Sequence, residues 1–188
     1  MVNDVVISPN PVDLYRRATS RAVGVATRVK PAQLADPTPC SAWSVQDLID
    51  HLTGGTEYLL AALERREPAP RRATTAADFE SGVASVLGGV AAAGALDRTC
   101  MSPLGFEWTI GQAVAGTFMD VLIHTVDLAR ATGQDERLDP ELVDACIAMF
   151  LPEMPERGRE AGIIGPAVPI EPDAAPQSRL LAAMGRTP

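Results

Sequence analysis

Residues 110–132 constrain this chain more than any other stretch. Thr109 and Gln112 form a capping box, and Gly133 supplies a left-handed cap at the far end. Between them the spacing predicts one long helix, with Val114, Phe118, Val121, Leu122, Ile123 and Val126 over most of its surface. A helix that is apolar on most sides is a buried one, so other helices have to pack around it. At ~100° per residue, however, Thr117, Asp120, His124 and Asp127 fall within one narrow arc of the same helix. A polar stripe therefore crosses the most buried element of the chain.

The partners of that helix are legible. Asn10, Pro11 and Asp13 open a first helix whose apolar face includes Leu14, Ala18, Val25 and Val29, and Pro31 stops it. Residues 31–43 hold three prolines and read as an ordered crossing loop, with Trp43 plugged into the core. Ser44 and Asp47 resemble a capping box, and Val45, Leu48, Ile49, Leu52, Leu59, Leu60 and Leu63 carry a second helix over about 45–66. Residues 67–72 form a turn or short linker. A third helix carries Phe79, Val83, Val86, Leu87 and Val90, interrupted by glycines suited to close helix packing. Asp139 and Pro140 start a further helix through about Phe150. The six prolines of residues 152–176 predict an irregular wrapping segment, followed by a terminal helix over Ser178–Met184 that ends at Gly185. No alternating pattern is strong enough to build a sheet. The expectation is an all-α antiparallel four-helix bundle with additional C-terminal helices and an irregular Pro-rich tail. It forms one domain over 1–188, with a helical body to about residue 150 and the tail and terminal helix over 151–188.

Charge and composition narrow the partners. With 16 basic against 24 acidic residues the net charge is -8, which repels phosphate backbones and anionic membrane surfaces. Nucleic acid and membrane are therefore excluded as expected partners. The first thirty residues lack a secretory leader pattern, and no apolar run approaches the ~20 residues of a membrane span. Cys40, Cys100 and Cys146 are far apart and odd in number, which fits a reducing cytoplasm better than a disulfide framework. Cys40 reads as a small buried apolar residue. Fifteen of the 16 basic residues are arginine, the imprint of a GC-rich coding sequence.

Only two histidines occur, His51 and His124. His51 sits at the edge of the apolar stripe of the second helix, where it can face a groove. Asp120 and His124 lie four residues apart and stack on one face. Two imidazoles and a carboxylate are a standard ligand set for Zn²⁺, Ni²⁺ or Fe²⁺ with open positions. The plainer readings are that a histidine at a helix edge is a satisfied core or surface residue, and that Asp120 with His124 is a neutralising pair. Asp127 is a further candidate for orienting a ligand or moving protons, against the default of an ion pair with Arg130 or a helix cap. Glu57 and Glu107 carry less weight. No phosphate loop and no GxSxG motif occurs.

PTPCSAWSVQDLIDHLTGG (37–55) and DVLIHTVDLARATGQ (120–134) resemble the two histidine signatures of the mycothiol-dependent maleylpyruvate isomerase N-terminal-like family, within the DinB-like superfamily of metal-binding bundles. The tail, GPAVPIEPDAAP with RLLAAMGRTP, is similar to the end of an uncharacterised actinobacterial branch. The resemblance implies a DinB-like fold with metal ligands at His51, Asp120 and His124. Asp120 stands where the characterised isomerase type has glutamate, one methylene longer, and the additional C-terminal domain of the full isomerase is not found.

The ligand set implies a divalent metal, zinc first with nickel or iron as alternatives, and the resemblance implies mycothiol as a candidate cosubstrate. The partners would be a small-molecule thiol and an electrophile, and the activity a thiol-dependent isomerase or transferase. The rival reading is a noncatalytic metal- or ligand-binding module whose metal braces the bundle, with a homodimer as its candidate assembly. A bundle whose metal site has decayed is the third.

Overall fold

Most helices begin where a side chain can satisfy otherwise unpaired backbone amides. In the computed structural model, which describes residues 10–188, Asn10 accepts a hydrogen bond from the Val12 amide at 2.9 Å and starts α1 (Pro11–Ala26). Reciprocal capping boxes, Ser44 with Asp47, Thr75 with Asp78 and Thr109 with Gln112, start α2 (Val45–Glu64), α3 (Ala76–Val90) and α4 (Ile110–Ala131). Asp139 caps α5 (Pro140–Phe150), and α6 (Met154–Glu160) and α7 (Pro176–Ala183) follow. The single-domain expectation over 1–188 and the reading of the leader both extend over residues 1–9, which lie outside the described residues.

α4 packs on α1 and α2, and α3 packs on the other sides of the same two helices, which closes a four-helix bundle. Its core joins Leu14, Leu48, Phe79, Phe118 and Leu122 in one cluster, and Leu180, Leu181 and Met184 of the C-terminal segment enter the same cluster. The class is all-α as expected, with helix over 57% of the described residues. Among the described residues, no helix is long and apolar enough to cross a membrane.

Two expectations about local structure need correction. A hairpin of β1 (Thr99–Met101) and β2 (Glu107–Thr109) lies where no strand was expected, because three-residue strands are too short to carry an alternating pattern. It is tied to α2 by Tyr58, whose hydroxyl accepts from Trp108 Nε1 at 2.8 Å and donates to the Met101 carbonyl at 2.9 Å. The segment 152–176 is not irregular throughout, because α6 begins in it with Pro155 in its first turn, a position proline favours.

The glycines of α3 divide into two kinds. A β-carbon at Gly82 would lie 2.2 Å from Thr56 Oγ1, whereas one at Gly88 would meet nothing within 4 Å. Gly82→Ala is therefore expected to lower stability by ~1–3 kcal/mol through overpacking. Gly88→Ala is expected to raise it by ~0.5–1 kcal/mol through helix propensity. Thermal melts of the two variants should move in opposite directions, and shifts of the same sign would refute this packing account.

Candidate metal centre

The polar arc of α4 points into the bundle and meets α2 there. Asp120, His124 and Asp127 follow one another at intervals of four and three residues, so their side chains stack along one face. His124 is 7% exposed and Asp127 0%, and Asp120 is half-buried. His51 approaches from α2. Its Nε2 lies 3.0 Å from Asp120 Oδ2, while Asp120 Oδ1 lies 3.4 Å from His124 Nε2. One carboxylate thus sits between two imidazole nitrogens, and ligand atoms of all three residues lie within 4.8 Å of one another.

This spacing suits a metal ion. Tetrahedral zinc with bonds of ~2.0–2.1 Å places neighbouring ligand atoms about 3.3 Å apart, and the two contacts, one from each oxygen of Asp120, lie near that value. Asp120 supplies the contacts despite the short side chain, because α2 and α4 are close enough for its oxygens to reach both rings. The two imidazoles meet edge to face with centroids 4.7 Å apart. Trp43 covers them at 4.6 Å from His51 and 5.5 Å from His124. Trp43 is half-buried, packing against the core cluster as the sequence suggested while its ring also lies over the histidines. His51 and Trp43 also form one wall of a cavity of about 480 Å³ that Asp50, Arg71 and Arg72 help to line.

The charges are strongly coupled. Burial alone would drive the His124 pKa down, but Asp120, through charge and hydrogen bonding, and then Asp127 raise it well above the usual histidine value. Burial likewise opposes ionisation of Asp120, yet His124 and His51 hold its carboxyl far below the usual range. Asp127 is also pushed up by burial, but hydrogen bonds from His124 and Arg186 bring it to about 2.

A second triad shares His124. Cys40 Sγ lies 3.9 Å from His124 Nδ1 and 3.4 Å from Asp127 Oδ2. Here a cation is already present, because the Arg186 guanidinium donates from Nη2 to Asp127 Oδ2 at 2.8 Å and to Cys40 Sγ at 3.2 Å. That guanidinium takes the place an ion would need, so the metal candidate is the set around Asp120. Cys40 is correspondingly not a buried apolar residue; it is half-buried in a polar cluster. Asp127 departs from its default reading too, since Arg130 pairs instead with Glu136 at 2.6 Å.

Glu57 is engaged by Arg66, and Glu107 lies exposed on β2, so neither is among the grouped candidate ligands. Sequence reading missed Arg186 and the polar role of Cys40. No local spacing announces the former, which meets Asp127 across 59 residues.

Comparison with known proteins gives the geometry a setting. A family profile described as the mycothiol maleylpyruvate isomerase N-terminal domain matches residues 15–129, the span that contains His51, Asp120, His124 and Asp127. Two uncharacterised proteins of Mycobacterium tuberculosis, from strains H37Rv and CDC 1551, are each 34% identical over 184 residues, covering 95% of this chain and 98% of their own length. No solved structure matches the chain significantly.

Proposed function

The chain belongs to the mycothiol maleylpyruvate isomerase N-terminal domain family, with the all-α DinB-like fold, and on that premise we propose that it binds one divalent metal and a low-molecular-weight thiol. Zinc is the first candidate for the metal and mycothiol for the thiol, in an isomerase or transferase. The observation that carries this reading is the convergence of His51, Asp120 and His124, with edges of 3.0 and 3.4 Å between their ligand atoms. A bound metal supplies Lewis acidity, which lowers the pKa of a coordinated thiol.

The residues divide the remaining work. His51 and His124 offer neutral nitrogens when they bind, and Asp120 offers charge, which leaves a coordination position open. Asp127 accepts from His124 Nδ1 at 2.9 Å and orients that ring. Trp43 keeps water from one side of the imidazoles, and the cavity beside His51 is within the size range of small-molecule sites. The free thiols Cys40, Cys100 and Cys146 fit a reducing cytoplasm.

Calorimetry tests the reading. Zinc-loaded protein is expected to bind mycothiol with release of a proton near neutral pH, counted in buffers of different ionisation enthalpy, and metal-free protein is expected not to bind it. Thiol binding that survives metal removal would place the thiol elsewhere. A zinc-dependent rise in melting temperature without any thiol binding would favour the noncatalytic module.

A further inference from the structure

We propose that Arg186, contributed by the C-terminal segment outside the family-matched residues 15–129, is a positioning residue that sets the aim of His124 at the metal centre. The inference rests on the reading that His51, Asp120 and His124 hold a metal.

The geometry forms a chain of contacts. α7 is capped by Met184 and followed by Gly185, whose φ of +77° is a left-handed conformation open to glycine at little cost. A β-carbon there would lie 3.0 Å from Gly165 Cα, so the two backbones also need the space. That turn delivers Arg186 into the bundle. Its Nε donates to Asp127 Oδ1 at 3.2 Å and its Nη2 to Asp127 Oδ2 at 2.8 Å, a two-point fork that fixes the carboxylate plane. Nη1 is anchored on the Met184 carbonyl at 2.8 Å. The Cys40 thiol donates to Asp127 Oδ2 at 3.4 Å.

Ionised and paired with Arg186, Asp127 can only accept, so a neutral His124 carries its proton on Nδ1 in the 2.9 Å hydrogen bond. The lone pair of a neutral His124 then belongs to Nε2, the atom that faces Asp120 at 3.4 Å. Arg186 thus acts through Asp127 on a nitrogen that it does not touch.

Direct electrostatics and positioning predict opposite signs. A guanidinium repels a divalent cation, so removing its charge would tighten zinc binding if charge alone mattered. Positioning predicts that Arg186→Gln weakens zinc binding ~10–100-fold, and that Arg186→Lys, which keeps the charge but not the fork, weakens it about tenfold.

Competition with a chromophoric chelator measures these affinities. Proton spectra of zinc-loaded protein follow the His124 Nδ1–H, which is expected to lose its protection from exchange in Arg186→Gln. In an Asp127→Asn background, Arg186→Gln should bring no further loss of zinc affinity, because the connection is already broken. Unchanged or tighter zinc binding in the folded variants would overturn the proposal, as would an additive loss in the double variant. If Arg186→Gln fails to fold, Arg186→Lys decides by the same measurements. His51→Ala separates this inference from the one beneath it: zinc binding unchanged in that variant removes the metal centre itself. Binding abolished there but unchanged in both Arg186 variants removes only the positioning role.

Discussion

His51→Ala and His124→Ala are each expected to abolish stoichiometric zinc binding. Each substitution removes one of three ligands from a set drawn from two helices, and neither Asp120 nor Asp127 can supply a second neutral nitrogen. The loss should exceed the ~10–100-fold that changes outside the ligand set cause. Metal analysis after dialysis against buffered zinc would measure it, and full occupancy in both variants would end the assignment. Asp120→Asn should weaken binding by removing the anionic ligand. Asp120→Glu probes the spacing: Asp120 already reaches both rings at 3.0 and 3.4 Å, so a longer carboxylate retains zinc only if α2 and α4 leave room for the added methylene.

Asp127→Ala is expected to cause the largest loss of stability. The substitution strips a fully buried carboxylate from Arg186, whose side chain is only 13% exposed, and leaves His124 Nδ1 without its acceptor. Breaking one side of a buried pair costs about 3–5 kcal/mol. For a chain of this size that corresponds to a fall in melting temperature on the order of 10 °C. Denaturant unfolding of metal-free protein would measure it, and a loss below ~1 kcal/mol would contradict the buried pairing. Adding Arg186→Met should restore part of the loss, because the orphaned cation then disappears. The effect should also depend on pH. Asp127 has its pKa lowered to about 2, beneath the ~3.9 of an unfolded aspartate, so its contribution is present above that ordinary value. As pH falls from about 4 towards 2, the carboxylate protonates and the advantage over Asp127→Ala should disappear.

The parts of the site that were legible are those that depend on local repetition. Asp120, His124 and Asp127 lie on one helix, where fixed rotation per residue converts spacing into direction. His51 was legible as the edge of a stripe, although its actual partner depends on how α2 packs on α4. Cys40 was placed wrongly because it belongs to a loop, whose direction no periodicity records. The same holds for Arg186, since a contact spanning 59 residues leaves no trace in either neighbourhood. The capping boxes of α2 and α4 marked their starts closely, whereas that of α3, Thr75 with Asp78, went unread. Pro155 misled for a physical reason, because proline breaks a helix interior but suits a first turn.

The turn at Gly185 gives the C-terminal segment a mechanical connection to the centre of the bundle. Segments of a folded chain open and close individually, each with its own free energy. Opening of α7 would withdraw Arg186 from Asp127 while the four-helix body stayed closed, and His124 would lose its brace during each excursion. Thermodynamic reciprocity makes this coupling run both ways. An ion that binds better when His124 is braced must, by the same factor, hold the distant turn shut. Occupancy at His51, Asp120 and His124 would then be recorded as slower amide exchange at Arg186, whose backbone N–H is bonded to the Leu181 carbonyl at 2.9 Å.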